Sequence, residues 1–94
     1  MQITFENLDL SKHQLIDIRE EYERTSYAHP KALHIPMASL VDEAVNLDKE
    51  TEFVVHCASG NRSLSIVKIL AAKGYKNFLS LDGGADILQT QKSQ

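Results

Sequence analysis

Ninety-four residues with 43% apolar content supply one hydrophobic core and little beyond it. A formal charge of -3 excludes the strongly basic surface of a general nucleic-acid binder, and no run approaches the roughly 20 apolar residues of a membrane span. The lone cysteine excludes an internal disulfide and a cysteine-built zinc site, and Met1-Gln2-Ile3-Thr4-Phe5-Glu6 lacks the basic start and apolar run of a secretory signal. The expectation is one domain over residues 1–94, in a reducing cytosol, with no cofactor, metal, nucleic acid or membrane as partner.

In chain order, Gln2–Phe5 reads as an edge strand and Leu15-Ile16-Asp17-Ile18 as a buried one. Glu20–Arg24 is long enough for one helical turn, and Ala32–His34 for a very short strand. From Ala38 to Val45, Leu40, Val41 and Ala44 fall on one stripe with the acidic residues facing away, the pattern of an amphipathic helix. Phe53-Val54-Val55-His56 is a further buried strand. Ser63 to Lys73 carries a broad apolar face of Leu64, Ile66, Val67, Leu70 and Ala71, closed by Gly74 as a C-terminal cap. Phe78-Leu79-Ser80-Leu81 is the last strand, and Ala85–Gln89 a final helix. Short apolar runs without strict alternation suit strands covered on both faces. Their alternation with helices predicts an α/β fold with a mostly parallel sheet of five strands.

The chemistry concentrates where a strand ends at Cys57 and a helix begins near Asn61 to Ser63. Sites in open α/β sheets form beyond the carboxyl ends of the strands. The loop Ala58-Ser59-Gly60-Asn61-Arg62 is small and polar, and Gly60 is free to take a backbone conformation closed to other residues. Such a turn aims successive N–H groups inward as an anion nest, and the helix N-terminus adds its own unpaired donors. A free thiol with a pKa of about 8.5 is mostly protonated at neutral pH, whereas cysteines at helix N-termini fall to roughly 3.5–7.5. Arg62 adds a forked positive charge. A lone cysteine is otherwise commonly an inert, buried small hydrophobe; here strand end, glycine, arginine and helix start coincide, and the reactive reading is favoured.

The run Cys57-Ala58-Ser59-Gly60-Asn61-Arg62-Ser63 resembles the active-site loop of the rhodanese family. Leu15-Ile16-Asp17-Ile18-Arg19-Glu20 is similar to that family's Asp-x-Arg strand, and Asp82-Gly83-Gly84 to its later Gly-Gly turn. The likeness extends from about Gln14 to Leu88. It implies a rhodanese-like fold with helices on both faces of the sheet. It also implies a cysteine that takes a sulfane sulfur from a donor such as thiosulfate or a persulfide and passes it to a thiol or cyanide. Protein donors or acceptors fit the same scheme. The chain departs from the family at Ala28-His29-Pro30-Lys31-Ala32, which lacks the family's glycines. Ala85-Asp86-Ile87-Leu88 lacks its aromatic residue after the glycine pair, and Ala58 gives the loop no cation of its own.

Around this loop, Asp17 and Arg19 lie two apart on a strand and so share a face; they either brace the mouth of the site or form a structural ion pair. Asp82 and Gly83 either bring backbone toward the site or make a tight turn. His56, next to Cys57 on a strand, should point to the opposite face. His29 and His34 sit in a proline-marked loop, His13 has no supporting context, and the four histidines form no ligand spacing. Three functions compete. Sulfur transfer through a Cys57 persulfide leads. A phosphatase or arsenate reductase is weakened because four residues, not five, separate Cys57 from Arg62. A persulfide carrier or non-catalytic module serving a partner enzyme is the third.

Overall fold

Five strands lie side by side in the order β1-β5-β4-β2-β3, and every pairing is parallel. They are β1 (Gln2–Ile3), β2 (His13–Asp17), β3 (Leu33–His34), β4 (Glu52–His56) and β5 (Phe78–Leu81); the helices are α1 (Met37–Glu43), α2 (Asn61–Ala72) and α3 (Gly84–Thr90). The computed structural model describes residues 1–90; the last four residues of the expected domain lie outside the described residues. The expected mostly parallel sheet is thus wholly parallel, because each strand returns to the same end of the sheet through a helix or a helical turn.

Side-chain alternation sorts the core into two layers. Ile16 and Ile18, Phe53, Val55 and Cys57, and Phe78 face one side, where they meet Leu40 and Ala44 of the α1 segment and Ile66, Val67 and Leu70 of α2. Leu15, Val54 and Leu81 face the other side and meet Leu88 of α3, with Ile3, Phe5, Leu8 and Leu10 packed around them. Both faces of the central strands are therefore covered, which is why Phe53, Val54 and Val55 of β4 are apolar without alternation. Full burial of each of Ile66, Val67 and Leu70 contributes about 2 kcal/mol, so α2 is held by its packed stripe more than by helix propensity.

The boundaries differ from the expectation in instructive ways. The amino-terminal strand stops at Ile3 because Phe5–Asn7 closes a 3-10 turn, with Asn7 N–H donating to Thr4 O at 3.1 Å. β2 starts at His13 and its ladder ends at Asp17, although Ile18 N–H still donates to His56 O at 3.0 Å. α2 begins at Asn61, the early end of the expected start and three residues before its apolar stripe opens at Leu64. At its other end Gly74 takes φ +99°; its N–H donates to Ala71 O and Tyr75 N–H to Leu70 O, the paired closure of a Schellman motif. Tyr75 then packs onto the core below.

Candidate active site

Cys57 follows directly on β4, the middle strand of the sheet, and its side chain continues the β4 face that packs against α2. The residue is 1% exposed. Two backbone donors and one hydroxyl oxygen meet its sulfur. Gly60 N–H lies 3.2 Å from Sγ, Ser63 N–H lies 3.4 Å away, and the thiol and the Ser63 hydroxyl are 3.7 Å apart. Gly60 makes this possible by standing at φ +110°, immediately before α2. No side chain caps α2; the Ser63 N–H, one of the helix's otherwise unpaired amides, is taken by the cysteine sulfur. Burial would push the thiol up. The N–H and hydroxyl of Ser63, with the N–H groups of Gly60 and Ser59, outweigh that and hold it below its ordinary value.

The rest of the loop acts through backbone. Ser59 and Asn61 are exposed and Ala58 is half-buried. Carbonyls on the loop's outer side are held by the start of α3: Ala85 N–H donates to Cys57 O at 2.7 Å and Asp86 N–H to Ala58 O at 3.0 Å. That contact requires Gly84, at φ +53°. A Cβ there would overlap the Cys57 carbonyl oxygen and lie 2.9 Å from Ala58 C and O. Of the two options for Asp82-Gly83-Gly84, close backbone approach describes the pair of glycines, with Gly84 making it. Gly83 stands at φ +87° in the turn beside Gly60. The Asp82 side chain is on the surface, and only its N–H is engaged, with Ile3 O at 2.9 Å.

Arg62 does not offer a free charge to the sulfur. Its two terminal nitrogens grip Glu23, with Nη1 to Oε2 at 2.9 Å and Nη2 to Oε1 at 2.7 Å. Glu23 is held down to about 2 by this guanidinium and by the Glu20 backbone, and Arg62 is raised in turn by Glu23 first and by Cys57 to a lesser degree. Glu23 belongs to the 3-10 turn Glu21–Arg24, closed by a capping box in which Glu20 N–H donates to Glu23 Oε2 at 2.8 Å. Reading the residues singly misses Glu23; the Glu20 to Glu23 spacing of a capping box was the one local signal for it.

Behind that turn lie Asp17 and Arg19, both buried. Arg19 donates to both Asp17 oxygens, from Nε at 3.0 Å and Nη2 at 2.8 Å; Nη2 also reaches Tyr27 O at 2.7 Å, and Nη1 reaches Glu23 O at 3.1 Å. Arg24 adds a contact to Asp17 Oδ2 at 3.2 Å. Desolvation opposes ionisation of Asp17, yet the Arg19 hydrogen bonds bring its carboxyl down to about 2. The two residues therefore form an ion pair that also ties down the segment carrying Glu23. His56 is turned to the face opposite Cys57, its Nε2 3.8 Å from Asp17 Oδ2 and without a hydrogen bond. Burial chiefly holds it below its ordinary value. His34 is bonded to Arg19 O at 2.7 Å and His29 accepts from Lys31 N–H at 3.0 Å, so neither touches the sulfur. Among the described residues no group of three metal-ligating side chains comes together, and no helix is long and apolar enough to cross a membrane.

A cysteine cradled by a strand-end loop and a helix start is a recurrent arrangement, and comparison identifies it. The family model of the rhodanese-like domain matches residues 5–89. The chain belongs to the rhodanese-like family. It is 39% identical over 70 residues to the putative sulfurtransferase YtwF of Bacillus subtilis, covering 74% of this chain and 67% of that protein. Against the thiosulfate sulfurtransferase GlpE of Haemophilus influenzae it is 36% identical over 73 residues, 77% of this chain and 69% of the relative. Among solved structures it superposes on a rhodanese-related protein from Thermoplasma volcanium with a TM-score of 0.77 and 26% identity, over 94% of this chain and 91% of that one. It also matches part of the NAD-dependent persulfide reductase of A. fulgidus, with a TM-score of 0.70 and 30% identity, over 90% of this chain and 15% of that one. These relatives support a rhodanese-type sulfurtransferase.

Proposed function

We propose that this rhodanese-like chain moves a sulfane sulfur from a donor such as thiosulfate to a thiophilic acceptor, with Cys57 carrying the sulfur as a persulfide. The observation that carries this reading is the convergence of the Gly60 and Ser63 N–H groups and the Ser63 hydroxyl on the Cys57 sulfur. The two N–H groups stabilise a negative sulfur, first as thiolate and then as the terminal atom of a persulfide, and the Ser63 hydroxyl is placed to donate once the thiol hydrogen is gone. The thiolate attacks the outer sulfur of thiosulfate; the new S–S bond forms as the old one breaks, and sulfite departs with the electron pair. A thiol or cyanide then attacks the outer sulfur of the persulfide and Cys57 leaves as thiolate, a double displacement. A lone cysteine working as thiolate suits the reducing cytosol. Phosphoryl transfer is less well supported, since the forked donor that would hold a phosphoryl group is already occupied by Glu23.

A second reading is favoured by the match to one segment of a persulfide reductase: the domain accepts its sulfur from a protein persulfide and acts as a carrier for a partner enzyme. One experiment addresses both. Reduced protein is incubated with thiosulfate, desalted and weighed intact, beside Cys57→Ser. Gain of one sulfur, removed by cyanide and absent from the variant, is the expected result. No gain in a folded protein with a free thiol rejects thiosulfate as donor, and a persulfidated protein offered instead then tests the carrier reading.

A further inference from the structure

Ser80 is the one polar side chain that β5 sends into the apolar layer beneath α2, between Phe78 on its own strand and the helix above. It is fully buried. A buried hydroxyl on an apolar strand face is costly unless it is bonded, and its partner is specific: Ser80 Oγ lies 2.7 Å from Ser63 Oγ. Ser63 is equally buried, donates toward Gly60 O at 3.1 Å and sits 3.7 Å from the Cys57 sulfur.

Counting protons fixes the directions. Each hydroxyl has one hydrogen. With Cys57 as thiol, the S–H points to Ser63 Oγ, Ser63 donates to Gly60 O, and Ser80 is left to donate to Ser63 Oγ. When the sulfur becomes negative it can only accept. The Ser63 hydrogen then turns from the Gly60 carbonyl to the sulfur, and Ser63 Oγ, having lost the S–H, keeps Ser80 as its donor. The result is a chain of two hydroxyls ending on the sulfur, in which each bond polarises the next.

We propose that Ser80 is a positioning residue for Cys57: its hydroxyl, donating to Ser63 Oγ, directs the Ser63 hydrogen onto the sulfur whenever that sulfur is negative. The inference rests on the reading of Cys57 as a thiolate nucleophile, and it concerns the sulfur's charge, not which donor supplies a second sulfur. The charged groups near the loop are Arg62 with its partner Glu23 and, from the segment that opens α3, the exposed Asp82 and Asp86; His56 and Asp17 occupy the opposite face of the sheet. None of them touches Ser80, so its effect travels through Ser63.

The test is the pH dependence of Cys57 alkylation by iodoacetamide in the full chain, which requires no sulfur transfer and so stands or falls separately from the thiosulfate experiment. Ser80→Ala raises the midpoint by about half to one pH unit, a roughly three- to tenfold loss of thiolate below the midpoint. Ser63→Ala raises it as well, and Ser63→Ala with Ser80→Ala raises it no further than Ser63→Ala alone. Ser80→Thr and Ser80→Val, alike in shape and different in the hydroxyl, separate packing from hydrogen bonding: threonine keeps the wild-type midpoint and valine shifts it. An unmoved midpoint in Ser80→Ala and Ser80→Val overturns the proposal. So do shifts of Ser63→Ala and Ser80→Ala that simply add, or equal shifts from threonine and valine.

Discussion

Glu23 and Arg62, 39 residues apart in sequence, are joined by two hydrogen bonds of 2.7 and 2.9 Å at the mouth of the cysteine loop. The pair fixes the first turn of α2 to the segment that follows β2, and it compensates the loop's one cationic side chain. An anion approaching Cys57 therefore meets backbone donors before it meets any net positive charge.

Glu23→Gln should accordingly favour anionic reagents. Glutamine keeps one hydrogen bond to Arg62 but leaves the guanidinium charge uncompensated. The rate of Cys57 alkylation by iodoacetate, relative to neutral iodoacetamide, should rise by roughly fivefold, about 1 kcal/mol of Coulomb energy near a protein surface, and the gain should shrink in high salt. The ratio cancels any change in thiolate fraction, which both reagents feel alike. An unchanged ratio would mean that Arg62 does not reach the path of the reagent.

Replacing Gly84 by alanine should cost at least about 2 kcal/mol of stability, because φ +53° strains any side chain and the new methyl group would strike the Cys57 and Ala58 backbone. The loop must shift to make room, so Cys57 alkylation should change along with the urea midpoint. Gly74→Ala is the control: it also has positive φ, but open space surrounds it and it lies at the far end of α2. It should weaken folding and leave alkylation alone.

Asp17→Ala should cost about 3–5 kcal/mol, since it strands the buried Arg19 guanidinium and removes a partner of Arg24. Urea denaturation measures the loss. A cost below 1 kcal/mol would show that Arg19 finds adequate partners in the Glu23 and Tyr27 carbonyls.

Stability should fall with acid in two stages. His56, held below its ordinary value mainly by burial, is neutral in the fold. Its contribution is complete above the unfolded value near 6.5 and is lost as pH falls below that, with His29 acting in the same direction. Asp17 and Glu23, both near 2 in the fold, contribute stability that is complete above about pH 5 and is lost between about pH 4 and 2, Asp17 alone on the order of 2–3 kcal/mol. Urea midpoints measured from pH 8 to about 2 should show both stages, and His56→Gln should remove most of the upper one.

What could be read from residues alone was whatever is contiguous in the chain. Cys57, Gly60 and the start of α2 lie within five residues, so strand end, glycine and helix start predict one another. Asp17 and Arg19, two apart, were expected to share a strand face; β2 ends at Asp17 and Arg19 lies in the bend beyond it, yet the two side chains are bonded to each other. His56 was expected on the other face and lies on it. The relationships that escaped are those made by folding. Nothing near Arg62 in sequence announces Glu23. Ser80 reads as a polar break in an apolar strand until α2 places Ser63 above it. The need for glycine at Gly84 comes from the backbone of a loop 26 positions earlier, which α3 meets only after β5 has paired.

The sheet order has a kinetic side. Gln2 pairs with Ser80 and Ile3 with Leu81, so the first strand finds its partner only after almost the whole described chain has been made compact. Closing so long a loop is entropically costly, and the reward is a strand of two residues. β1 should therefore dock late in folding and open early under native conditions. Ser80 and Asp82 donate their amides to Met1 O and Ile3 O, at 2.7 and 2.9 Å. Their hydrogen exchange would time that opening, apart from the slower exchange of β4 at the centre of the sheet.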